Sequence, residues 1–173
     1  MKLKIKKYLV RAAILLPFLL GVGYLYYRTP KLVKIEYQGI YYQLGNSEIT
    51  EEIPVVFDGY LTRGLWLEDS FQGTITIGDA TLNKVDIRLP KDGPSVIAYF
   101  DEATKDYTSY GALYTKDIKK SITISVNLYD KATDSDVWSS ADGYMISAPA
   151  QDRTGALELS NQLMKDVLLK ELE

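Results

Sequence analysis

Three aspartates fall in the short run Asp130-Lys131-Ala132-Thr133-Asp134-Ser135-Asp136. Carboxylates at that density on a tight loop suit Ca²⁺, a hard ion held by oxygen ligands. An EF-hand would also need Gly at the sixth loop position and Glu at the twelfth. Counted from Asp130 or from Asp134, the chain has neither. Asp and Ser also build turns through their own side-chain hydrogen bonds, and a turn is the simpler reading of the run. A second acidic group, Asp101, Glu102 and Asp106, could supply paired carboxylates for glycoside hydrolysis. Acids that close together are more often a solvated loop.

Other chemistries are closed by composition. The chain has no His and no Cys. Zinc, haem and iron–sulfur sites lose their usual ligands. Ser-His-Asp and Cys-His nucleophile systems lose their base or their nucleophile. No disulfide frame is available, so packing alone must hold the fold. No catalytic residue, metal ligand or cofactor is expected.

Tyrosine is the remaining chemical signal, with 14 residues against four Phe and two Trp. Tyr60 lies on the polar register of its segment, beside Asp58 and Thr62, and Tyr129 continues the polar face of Ser121–Asn127. A tyrosine-bearing sheet face could bind a peptide, a glycan or another protein. Tyrosine also simply suits a half-buried pleated surface.

The elements that position these residues are mostly strands. In Ser121–Tyr129, Ile122, Ile124, Val126 and Leu128 alternate with Ser121, Thr123, Ser125 and Asn127. That period of two predicts one face on a core and the other toward water or a polar groove. Phe71–Ile77 and Val85–Leu89 alternate similarly. Less regular candidates are Leu32–Tyr37, Ile40–Leu44, Val55–Thr62, Val96–Phe100, Gly111–Thr115 and Val137–Ile146. Turns are expected at Gln38-Gly39, Gly45-Asn46-Ser47, Gly78-Asp79, Pro90–Pro94, Asp117–Lys120 and Asp130–Ser135. About nine short strands at such spacing predict a mainly β fold, an antiparallel β-sandwich or curled sheet. One amphipathic α-helix is expected over 153–172, capped by Asp152 or Thr154. Its apolar stripe, Ala156, Leu157, Leu159, Leu163, Met164, Val167 and Leu168, is wide enough to pack on a sheet face.

Ahead of the β domain stands an apolar run. Residues 8–27 carry a single charge, Arg11. As a helix the run would be about 30 Å long, the thickness of a bilayer core. Lys2, Lys4, Lys6 and Lys7 precede it with no acid among them, which places residues 1–7 in the cytoplasm. Tyr24, Tyr26 and Tyr27 then fall at the outer interface. The competing reading is a secretory signal cleaved after Gly23, at the small-residue site Gly21-Val22-Gly23. Either way the same domain is exported. The expected organisation is a basic head (1–7), a signal anchor (8–27), a linker (28–30) and an extracytoplasmic domain (31–173).

Charge follows that division. All 23 acids but only 14 of the 20 basic residues lie from Pro30 onward, so the exported part carries −9. Such a domain is a poor partner for nucleic acid or for anionic headgroups. The expected location is the cell membrane of a bacterial envelope. The expected role is non-catalytic binding of a protein or cell-wall component, or support of a membrane assembly. The alternatives are a carboxylate-dependent hydrolase or carbohydrate-active domain, and a lipid-binding domain with an apolar cavity under its helix.

Overall fold

The computed structural model describes residues 2–65, 68–130 and 135–173, and the side chains of all of these except 2–12, 14, 129, 130, 135 and 136. The first element is helix α1 (Lys2–Arg28). It ends as Thr29 turns its hydroxyl back to donate to Leu25 O at 2.9 Å. Pro30 follows, and strand β1 (Lys31–Gln43) starts at once.

The strands are β2 (Asn46–Thr62), β3 (Asp69–Ile77), β4 (Ala80–Leu89), β5 (Ser95–Asp101), β6 (Asp106–Asp117), β7 (Ser121–Val126), β8 (Leu128–Asp130), β9 (Ser135–Val137) and β10 (Tyr144–Ala148). Helix α2 (Arg153–Met164) closes the order. Eight strands form one antiparallel sheet, ordered β4-β3-β2-β1-β10-β7-β6-β5. Its two end strands, β4 and β5, pack side by side without a ladder. Lys84 bridges that seam, its ammonium 4.1 Å from the Phe100 ring centre and 3.5 Å from Glu102. The sheet is thus curled into a nearly closed barrel. The sandwich alternative is not what forms, because β1 and β10 pair directly and leave no break between two sheets.

The interior is filled, as in small barrels generally. Val55, Phe57 and Leu61 of β2 meet Phe71, Ile75 and Ile77 of β3, Val85 and Ile87 of β4, and Ile122 and Ile124 of β7. Phe57 and Phe71 pack edge to face at 5.5 Å. Gly59 and Gly73 sit opposite each other between β2 and β3. A Cβ on Gly73 would stand 2.2 Å from Asp58 O, and one on Gly59 2.2 Å from Gln72 O. No side chain fits there, and the glycine pair permits the close approach at this bend.

The strands differ from expectation in four places. Ser121–Tyr129 is not one strand, since β7 ends at Val126 and Leu128 starts β8 of another sheet, exposed rather than in the core. Gln38-Gly39 is not a turn, since β1 runs through it with Gly39 opposite Ile53. A Cβ at Gly39 would meet Ala148 at 2.8 Å, so glycine is there for crossing strands rather than for reversal. The segment Val137–Ile146 is divided between β9 and β10, and the β8–β9 hairpin is a separate two-stranded sheet. Finally, β2 is longer than expected. Asn46 and residues 50–53 pair with β1 alone, because β3 ends at Ile77 opposite Val55.

Helix α2 lies on the outer face of β1, β6, β7 and β10. Asp152 caps it by accepting from Gly155 N–H at 2.8 Å. The helix stops at Met164 rather than continuing to Leu172. Val167 and Leu168 N–H both donate to Met164 O, which closes the last turn. Leu172 then folds back into the same core as Ile40, Tyr42, Leu44, Met145, Ala156 and Met164.

Candidate functional site

The polar register of β7 lies on the outer face of the barrel, opposite Ile122 and Ile124, yet it is not in solvent. Thr123 and Ser125 are buried beneath α2. There Thr123, Ser147 and Ser160 bring their hydroxyls together, with Thr123–Ser147 at 3.0 Å, Ser147–Ser160 at 2.7 Å and Thr123–Ser160 at 3.4 Å. The Tyr42 hydroxyl joins at 2.6 Å from Ser160 Oγ. Burial raises the Tyr42 pKa, and the hydroxyls of Ser160 and Ser147 and the Arg153 charge partly offset this. The cluster satisfies its members mutually and holds no charged group. It positions the helix rather than activating a nucleophile. Ser160 is the centre of the buried stripe of α2, flanked by Ala156 and Met164 one turn away on each side. A reading by hydrophobicity passes over it, because only its burial shows that it is an interface residue.

A second convergence lies at the end of the barrel where α1 arrives. Arg63 Nη1 donates to Asp69 at 2.7 Å, and Nη2 reaches Asp117 at 3.4 Å. Asp69 also accepts from Gly64 N–H at 2.9 Å, and Asp117 from Lys119 N–H at 3.1 Å. Both carboxylates raise the Arg63 pKa, against the opposing effect of burial. The group lines a hollow of about 300 Å³ with Tyr27, Leu65, Lys91 and Lys116. Sequence reasoning missed it, since Arg63 and Asp117 are 54 positions apart and neither belongs to a motif. Its geometry ties the β2–β3 connection to the β6–β7 turn.

The acids singled out from sequence are arranged otherwise. Asp101, Glu102 and Asp106 bound the β5–β6 turn. Asp101 accepts from Ala103 N–H at 2.8 Å, and Asp106 accepts from Tyr107 N–H at 2.7 Å. Glu102 pairs with Lys105, whose hydrogen bond is the main cause of its lowered pKa. A general acid needs the opposite shift. Asp134 lies outside the described residues, as do the side chains of Asp130 and Asp136. Among the described residues no group of three or more acids could hold a metal ion.

The tyrosines do not share one exposed face. Tyr42 and Tyr114 lie under α2. Tyr37, Tyr41, Tyr99 and Tyr110 pack partly buried against the barrel core. Tyr37 donates to Ile118 O at 2.6 Å, and Tyr41 stacks on Tyr144 at 5.4 Å. Burial pushes the hydroxyls of Tyr37 and Tyr110 up to about 12. Tyr60 and Tyr107 are the barrel tyrosines that stand clearly in solvent among those described. Tyr60 lies across from Leu32 on the outer face of β1 and β2, over a hollow of about 610 Å³. Tyr129 falls among the residues whose side chains are not described.

Helix α1 contrasts with the barrel. Its described side chains from Leu15 to Tyr27 are almost all exposed, with Phe18 and Leu25 each at 68 %. Among the described residues no helix is long and apolar enough to cross a membrane.

No family model, no curated protein and no solved structure matches the chain.

Proposed function

We propose that the chain is a single-pass membrane protein, with α1 as its anchor over residues 8–27 and the barrel outside the cell as a non-catalytic binding or assembly module. One observation carries the anchor: Leu15, Leu16, Phe18, Leu19, Leu20, Val22 and Leu25 are all exposed on one helix. Left in water, each such side chain forfeits about 1.5–3 kcal/mol of burial. The barrel offers them no cover, since its interior is already occupied by its own side chains. A bilayer would accept them.

The binding role rests on how the acids are used. The convergence of Asp69 and Asp117 in one hollow is the arrangement a carboxylate hydrolase would use. Both, however, grip Arg63 and backbone N–H groups, which supports a strut. A lipid carrier is less favoured, because Tyr42, Met145 and Ser160 meet directly under the helix.

Alkaline extraction of membranes, combined with protease access to intact cells, tests the anchor. The chain is expected to stay with the membrane and to be cut only from outside. Release into the alkaline supernatant would sink the reading. Crosslinking in intact cells tests the assembly role, and repeated failure to capture any partner would count against it.

A further inference from the structure

The net charge of −9 conceals a polarity along the barrel. At the end where α1 joins, Arg63 is engaged by Asp69 and Asp117, and Lys116 by Asp92 and Asp166. Five further basic residues ring the same rim and are exposed: Lys31, Arg88, Lys91, Lys119 and Lys120. None makes an ion pair among the described residues. Counting Glu68 and the four paired aspartates against these seven basic residues, the rim carries a net charge of +2. The opposite rim carries Glu48 near the start of β2 and Asp79, Asp101, Asp106 and Asp142 at its turns, while Glu102 there is paired with Lys84 and Lys105. Exposed Leu32 and Leu65 also belong to the basic rim.

The two residues between α1 and β1 set how far this rim can stand from the helix end. Thr29 and Pro30 leave three residue steps from Arg28 to Lys31, at most about 11 Å. That is of the order of one Debye length at physiological salt, about 8 Å, so charges on the rim and on a surface at the helix exit still act on each other. Tyr27 of α1 already lines the hollow at this rim with Lys91 and Lys116.

We propose that the basic rim of the barrel docks on the anionic headgroup layer of the bilayer that holds α1, with Lys91, Lys119 and Lys120 as its principal contacts. The inference rests on the anchor reading above. The acidic rim is thereby turned outward, and the barrel stands upright on the membrane with one end for lipid and the other for partners. Lysine and arginine near an anionic surface attract it additively, and the acidic far rim is repelled, so both ends favour one orientation.

The chain lacks cysteine, so a single introduced one takes a single fluorescent label. Pro94→Cys marks the basic rim and Ser47→Cys the acidic one; both positions are exposed. The full-length chain is placed in vesicles of phosphatidylcholine alone, or of an equal mixture with phosphatidylglycerol, each containing a headgroup-labelled quencher lipid. In anionic vesicles the label at 94 is expected to be quenched several-fold more than the label at 47. The difference should shrink in neutral vesicles, and again with Lys91→Glu, Lys119→Glu and Lys120→Glu combined. Raising salt to about 1 M, where the Debye length falls to about 3 Å, should do the same. Equal quenching at 94 and 47 in anionic vesicles, or a difference indifferent to lipid charge and to the three reversals, overturns the docking while α1 still floats with the vesicles. A chain that does not float after alkaline washing overturns the anchor, and the docking with it.

Discussion

The side chain of Asn161 makes both backbone hydrogen bonds of Leu172: its Nδ2–H donates to Leu172 O at 3.1 Å, and its Oδ1 accepts from Leu172 N–H at 2.7 Å. The amide thus replaces a neighbouring strand for a residue that lies beyond the end of α2. It also brings the Leu172 side chain into the core beneath the helix.

Asn161→Ala should therefore lower stability by about 1–3 kcal/mol, the effect of stranding both polar groups. Leu172→Ala should lower it by about 2–5 kcal/mol through the cavity it leaves. The two losses should not add, since each frees the same segment. Urea denaturation of the singles and the double variant measures this, and simple additivity would show that the amide does not hold Leu172 in place.

The hydroxyl cluster under α2 predicts a similar coupling. Ser160→Ala leaves Tyr42, Ser147 and Thr123 short of a partner, at a cost of about 1–3 kcal/mol. Tyr42→Phe in the Ser160→Ala background should then cost less than Tyr42→Phe alone, because the phenol has already lost its bond. A double-mutant cycle reading zero would mean that the 2.6 Å contact contributes nothing.

Gly73→Ala should be among the most damaging substitutions in the barrel. Its Cβ would press on Asp58 O and Gly59 Cα, which are backbone atoms and cannot swing aside. A loss of about 3 kcal/mol or more is expected, at the upper end of single-residue effects. An unchanged melting temperature would mean that β2 and β3 are not that close.

Stability should fall as pH rises from 10 toward 12. Tyr110 and Tyr37 ionise near 10.0 when unfolded and near 12 when folded, mainly because burial disfavours the phenolate. Between those values the unfolded chain has released protons that the folded chain retains, so alkali favours unfolding. Below 10 the contribution is complete. Tyr110→Phe should flatten the alkaline limb of a stability–pH curve, and an unaltered limb would contradict the assignment.

Much of the barrel is legible in two-residue alternation. Ile122 and Ile124 face the interior as expected, the turns at Gly78-Asp79 and Pro90–Pro94 lie between strands, and those at Gly45–Ser47 and Asp117–Lys120 overlap strand ends by two residues and one. What alternation cannot show is which face a second layer will cover. Thr123 and Ser125 look solvent-bound because they are polar, yet α2 buries them and pairs Thr123 with Ser147 and Ser160. The length of α2 was equally obscure, since Val167 and Leu168 extend its apolar period past the point where the backbone turns. Arg63 and its two aspartates were invisible for a different reason. A contact between residues 54 positions apart depends on how the sheet curls, and no local pattern encodes the curl.

The unmatched first half of β2 has a consequence for other molecules. Residues 46–53 offer backbone donors and acceptors along one side with no strand beside them among the described residues. Such an edge is a template on which a second chain can crystallise its own strand. Glu48, Glu51 and Glu52 stand exposed along it, with Pro54 next in line. Three like charges make an identical copy of this edge its worst partner. Exchanging the three for threonine would turn a repulsive border into a self-sticky one, and light scattering should register oligomers that the parent does not form. The three carboxylates thus stand as guards along an edge whose backbone is otherwise open to pairing.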